Sequence, residues 1–83
     1  MARTGSRAGE LRSYKGPLSK RITVLVPNNP KQLGTQANRR FALYRSGMTV
    51  DEYYSACGEA KENVKYAAKD IEWDQDRKFI KLS

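Results

Sequence analysis

The chain has no histidine and only one cysteine, Cys57. Zinc sets built from cysteine and histidine therefore cannot be assembled, and no disulfide can close within the chain. Without imidazole the commonest general acid and base is missing, and a nucleophilic Cys57 would lack its usual activating partner. These absences lead us to expect a binding protein, not an enzyme, that uses no cofactor and no metal. Long apolar runs are missing as well: nothing approaches the roughly 20 residues of a membrane span, and residues 1–20 contain no signal-like apolar stretch. The expectation is an intracellular, cytoplasmic protein with no membrane partner. With 83 residues there is room for one domain and one small core, and little for a deep catalytic cleft.

Acid is scarce in the first half. Of 16 Lys and Arg side chains, ten lie within residues 1–45, where Glu10 is the only carboxylate, while residues 46–83 carry six basic and eight acidic side chains. The net charge of +7 therefore comes from the first half. Such a balance attracts polyanions, nucleic acid first among them. Residues 1–19 are rich in Gly, Ser and Arg, contain Gly16-Pro17 and hold few apolar groups, so the composition predicts a disordered basic arm. Arg3, Arg7 and Arg12 are spaced along it like phosphate contacts, although a solubilising tail would look the same.

A domain is expected over residues 20–83. Ile22, Val24 and Val26 alternate with Thr23 and Leu25 ahead of Pro27, which predicts a strand. Asn28 to Gly34 is turn chemistry, and Thr35 is placed to cap a helix over residues 36–46 with Ala37, Phe41 and Tyr44 on one face. Thr49-Val50-Asp51-Glu52 is a capping box, with Met48 and Tyr53 placed as a hydrophobic staple, so a second helix starts at Val50. Its apolar face, Val50, Tyr53, Tyr54 and Cys57, runs into Gly58, which predicts a break there. A third helix is expected over residues 59–70, burying Ala60, Val64, Ala67, Ala68 and then Ile71. The end of the chain suggests a hairpin, with strands at 71–74 and 77–82 around a Gln75-Asp76 turn.

Strand, helix, short helix, glycine turn, helix and hairpin follow one another, with Gly58 in the turn and the buried aliphatic Val64 six residues later. In this order and spacing the sequence resembles the winged helix-turn-helix superfamily of small bacterial and phage DNA-binding proteins. Tyr54 departs from the pattern, standing where the family usually has a small residue. The resemblance covers about residues 20–82. It implies an α+β fold with an N-terminal strand, three helices and a C-terminal hairpin wing. It also implies that the third helix lies in the major groove of duplex DNA.

On that helix the face opposite Val64 and Ile71 carries Glu62, Lys65, Tyr66 and Lys69, flanked by Lys61 and Asn63. Lys61, Lys65 and Lys69 follow one another at i, i+4 steps, an alignment that costs a few tenths of a kcal/mol per like-charged pair. A cationic contact surface would account for that cost, and so would a solvated face. Arg39, Arg40 and Arg45 on the first helix are expected to contact phosphates, and Arg77 and Lys78 stand at the tip of the expected wing. Glu59 and Glu62 would complement the dipole at the start of the third helix, or Glu62 would accept from a cytosine amino group. The function these readings converge on is DNA binding by a transcriptional regulator or architectural factor, with double-stranded DNA as the partner. RNA is a variant of that reading, and a protein-interaction adaptor using the acidic second half is the alternative. Oligomeric state is left open, because no spare amphipathic helix or heptad run is present.

Overall fold

A computed structural model of the protein describes residues 13–62 and 64–83. Arg3, Arg7 and Arg12 of the expected arm lie outside the described residues. The elements in order are β1 (Ile22–Val24), α1 (Gln36–Phe41), α2 (Val50–Glu59), α3 (Val64–Asp76) and β2 (Ile80–Leu82). The domain is a small α+β fold with three helices and one two-stranded antiparallel sheet. Among the described residues no helix is long and apolar enough to cross a membrane.

β1 forms where the β-branched alternation predicts it, but its partner is not a preceding or following hairpin strand. Ile22 stands opposite Leu82, Thr23 opposite Lys81 and Val24 opposite Ile80, so the two ends of the domain close on each other. The second edge of β1 is covered by the loop ahead of α2. Ile22 N donates to the Met48 carbonyl at 2.7 Å, and Gly47 N donates to the Ile22 carbonyl at 2.7 Å. Gly47 adopts φ 97°, a left-handed conformation suited to glycine, but does so inside this loop. It was expected directly after the first helix, which instead ends at Phe41.

The capping box at α2 is complete: Thr49 Oγ1 accepts from Glu52 N at 3.1 Å, and Glu52 Oε1 accepts from Thr49 N at 2.7 Å. Thr35 caps α1 in the same manner through Asn38 N at 3.1 Å. The expected break at Gly58 does not occur, because α2 continues through it to Glu59. The turn falls at residues 60–62, where Lys61 takes φ 62°. Lys61 N donates to the Gly58 carbonyl and Glu62 N to the Cys57 carbonyl, the paired bonds of a Schellman closure. α3 ends in the same way, with Lys78 at φ 61°, Lys78 N bonded to Gln75 O and Phe79 N to Asp74 O. Lysine thus occupies both left-handed positions, where glycine would ordinarily be read as the stop signal.

The C-terminal hairpin wing is not formed. Residues 71–76, expected as its first strand and turn, are the last turns of α3. The reason is periodicity: Ala67, Asp70, Ile71 and Asp74 are all buried, and only a helix places positions i, i+3, i+4 and i+7 on one face. An isolated two-stranded hairpin would also be marginal, whereas β2 paired to β1 is backed by the core. That core comprises Ile22, Phe41, Tyr44, Val50, Tyr53, Cys57, Ala67, Ile71 and Ile80. The expected helix-face residues Ala60 and Val64 are exposed. The arm does not extend freely to residue 19 as expected: Tyr14 packs against the core, its N–H donates to the Ala68 carbonyl at 3.0 Å, and its hydroxyl donates to Pro17 O at 2.8 Å.

A β-carbon added at Gly58 would meet only Val64 Cγ2, at an ordinary 3.8 Å. Gly58→Ala should therefore raise the stability of α2 by about 0.5–1 kcal/mol through the lower backbone entropy of the unfolded chain. Urea unfolding checks this; a fall in the midpoint would mean that Gly58 is needed as glycine.

Candidate nucleic-acid interface

α1 is under two turns long and divides its two arginines between the two sides. Arg40 turns inward, where Nε donates to Asp70 Oδ2 at 2.5 Å and Nη2 to Asp70 Oδ1 at 3.3 Å. Tyr53 of α2 donates its hydroxyl to the same Oδ2 at 3.0 Å. One turn along α3, Asp74 Oδ2 accepts from the Tyr44 hydroxyl at 2.7 Å, and Lys31 Nζ forms an ion pair with Oδ1 at 2.8 Å. The four-residue spacing puts both carboxylates on the buried face of α3. Tyr44 and Tyr53 stack at 4.4 Å between centroids. Burial, reinforced by the neighbouring carboxylates, pushes both phenols far above their usual range, so they act as donors at any working pH. Burial also raises the Asp74 carboxyl, with Lys31 and Tyr44 opposing part of that shift.

Arg40, expected on phosphate, is buried in this network. Arg39 stays at the surface, and its Nε donates to Glu62 Oε2 at 3.0 Å. Glu62 lies ahead of α3, in the turn, so neither expected role for it, dipole complement or base acceptor, is the contact it makes. Lys31, Arg39 and Arg40 of the basic first half are thus paired with Asp74, Glu62 and Asp70 of the acidic second half. The charge asymmetry of the sequence is in part an asymmetry between the partners of internal ion pairs.

What remains at the surface around the start of α3 is cationic. Lys61 is exposed in the turn, Lys65 and Tyr66 are exposed on the first turn of α3, and Lys69 is half-buried with Nζ 5.8 Å from the Tyr66 ring centroid. The guanidinium of Arg40 stands over the same ring at 5.4 Å. Lys65, Tyr66 and Lys69 lie within the first turns of α3, while Lys61, expected on the same helix, stands in the turn before it, next to Glu62, which Arg39 engages. Glu59 is exposed in the last turn of α2, two residues before Lys61. Arg77 and Lys78 are not at a wing tip; they follow the C-terminal end of α3, about 18 Å along the helix from Lys65 at 1.5 Å per residue. Arg77 stacks there on Trp73 at 4.0 Å. Arg45 lies in the loop beside β1, apart from the α3 group.

No protein-family model, curated protein or solved structure matches the chain. Its function therefore has to be argued from these residues alone. Among the described residues no group of three or more carboxylate or thiol side chains is arranged to hold a metal ion. Cys57 is buried, and burial pushes its thiol up, so it acts as a core residue. The sequence reading missed the contact between Arg40 and Tyr66. No local signal could have revealed it, since the helices involved are brought together only by the core.

Asp70→Ala should cost about 3–5 kcal/mol, since it leaves the Arg40 charge buried without its partner. The double replacement Arg40→Met with Asp70→Leu should recover most of that loss in chemical denaturation; equal losses would place the energy elsewhere. Asp74 gives a pH prediction of opposite sign to an ordinary ion-paired aspartate. Its folded carboxyl titrates above the ordinary value of 3.8, so the native state holds the proton more tightly and loses stability as pH rises through that window. Asp74→Asn should flatten this slope in urea titrations between pH 4 and 7.

Proposed function

We propose that the protein binds DNA, without catalysis, through the surface made by Lys61, Lys65, Tyr66 and Lys69, as a transcriptional or architectural factor. The observation that supports this reading best is the internal pairing of Glu62 and Asp70 with Arg39 and Arg40. Two carboxylates that would repel phosphates are engaged by α1, and Lys61, Lys65 and Lys69 lie in the turn and on the first turns of α3 with Tyr66. α2 and α3, joined by residues 60–63, have the short connection of a helix-turn-helix unit, which favours a DNA-binding arrangement of that kind without a hairpin wing. The lysines would contact the phosphate backbone, which positions a protein without reading sequence. The acidic second half offered the main support for an adaptor role. That support weakens once three of its carboxylates are counted as partners of the first half.

Phosphate contact carries a salt signature. With ~5 phosphates neutralised by α3 and the basic arm, affinity for a duplex should fall by roughly two to three orders of magnitude between 50 and 200 mM salt. Lys65→Ala with Lys69→Ala should weaken binding at 50 mM salt while leaving the melting temperature nearly unchanged. Fluorescence anisotropy with a labelled oligonucleotide checks both, and a salt-independent affinity would remove the electrostatic mechanism.

A further inference from the structure

Eight aromatic residues lie in the chain, and seven of them pack wholly or partly into the domain; Tyr66 is the exception, 43% exposed on the first turn of α3. Nothing in the packing of α3 requires an aromatic there, because Ala67, Asp70, Ile71 and Asp74 supply its buried face. The ring is nevertheless contacted by cations of the domain. Arg40 stands over it at 5.4 Å, and that guanidinium is itself fixed by two hydrogen bonds to Asp70. Arg40 Nη1 is buried without a hydrogen-bond partner among the described residues, an unmade donor in a group otherwise tightly bound. Lys69, on a flexible four-carbon stem, reaches the ring at 5.8 Å, and Lys61 and Lys65 stand nearby in the turn and on the same helical turn.

We infer, resting on the DNA-binding reading above, that Tyr66 is a stacking platform for an unpaired base, so that the preferred ligand is single-stranded DNA over a closed duplex. A partly exposed ring beside lysines is what single-strand binding uses: the π-face takes a base of any identity and the cations follow the backbone. Within a closed duplex the base faces are covered by their neighbours, and the ring has nothing to stack on. On binding, the base takes the place of the Lys69 ammonium at the ring, and Lys69 moves to the adjacent phosphate. Arg40, held by Asp70, stays in place as a cation–π partner of the ring.

The test compares a 15-nucleotide oligothymidine with a 15-base-pair duplex at 50 mM salt, using the full chain. The wild type should bind the oligothymidine more tightly. Tyr66→Ala should weaken that binding roughly five- to a hundredfold, the range for loss of one stacked base, and should weaken duplex binding by a clearly smaller factor. Tyr66→Phe should stay within about threefold of wild type, and Tyr66→Trp should show indole quenching with oligothymidine and not with duplex. Unchanged melting temperatures confirm that the fold is intact. Equal losses on the two ligands, or no loss on the single strand, would overturn the platform while leaving DNA binding in place. If neither oligonucleotide binds the wild type, the DNA-binding reading itself fails, and the platform with it.

Discussion

One carboxylate joins the three helices. Asp70 of α3 accepts from Arg40 of α1 and from Tyr53 of α2, within a core too small to fix the helices by apolar contact alone. Asp74, one turn later, ties α3 to Tyr44 and to Lys31 in the loop before α1. A buried ion pair adds little net stability compared with well-packed apolar groups, because desolvation offsets most of the Coulomb attraction. Its effect here is geometric. The fork of the guanidinium and the direction of the phenol hydroxyl set which way α1 and α2 approach α3, and the sheet closes over that arrangement through Ile22 and Ile80.

The same constraint shapes the surface. Because Arg40 is held by Asp70, it can stand over Tyr66; because Arg39 is paired with Glu62, the negative charge of that residue is offset in the turn between α2 and α3. The cationic character of the α3 face thus depends on where α1 places its two arginines. Core and candidate interface share these residues, which is why truncating Asp70 would disturb both. The opposite end of α3 is chemically different: Arg77 stands over Trp73, and the chain turns through Lys78 into β2.

Local chemistry was legible in the sequence wherever it acts over a few residues. The Thr49–Glu52 capping box, the Thr35 cap, the β-branched strand at Ile22 and the inward faces of Val50, Tyr53, Cys57, Ala67 and Ile71 could all be read from residue type and spacing. The exposure of Lys65 and Tyr66 could be read from their distance from Ile71 on the helix, whereas Lys61, expected on the same helix, stands in the turn, and Val64, expected on the buried stripe, is exposed. Glycine misled at position 58: a helix tolerates glycine, and a lysine can take the left-handed turn when two backbone hydrogen bonds close it.

The sequence by itself determined the composition class, the caps, the start of α2 and the two helical faces, since each depends on interactions spanning four residues or fewer. Tertiary structure decided the rest. It ran α3 to Asp76 by giving Asp70 and Asp74 buried partners, paired β2 with β1 in place of a hairpin, and turned Arg40 inward. Each of these outcomes depends on a group 30 or more residues away in the chain. A charge or a short apolar run carries no mark of which distant partner will desolvate it, so strand pairing and burial of charge became fixed only when the helices met.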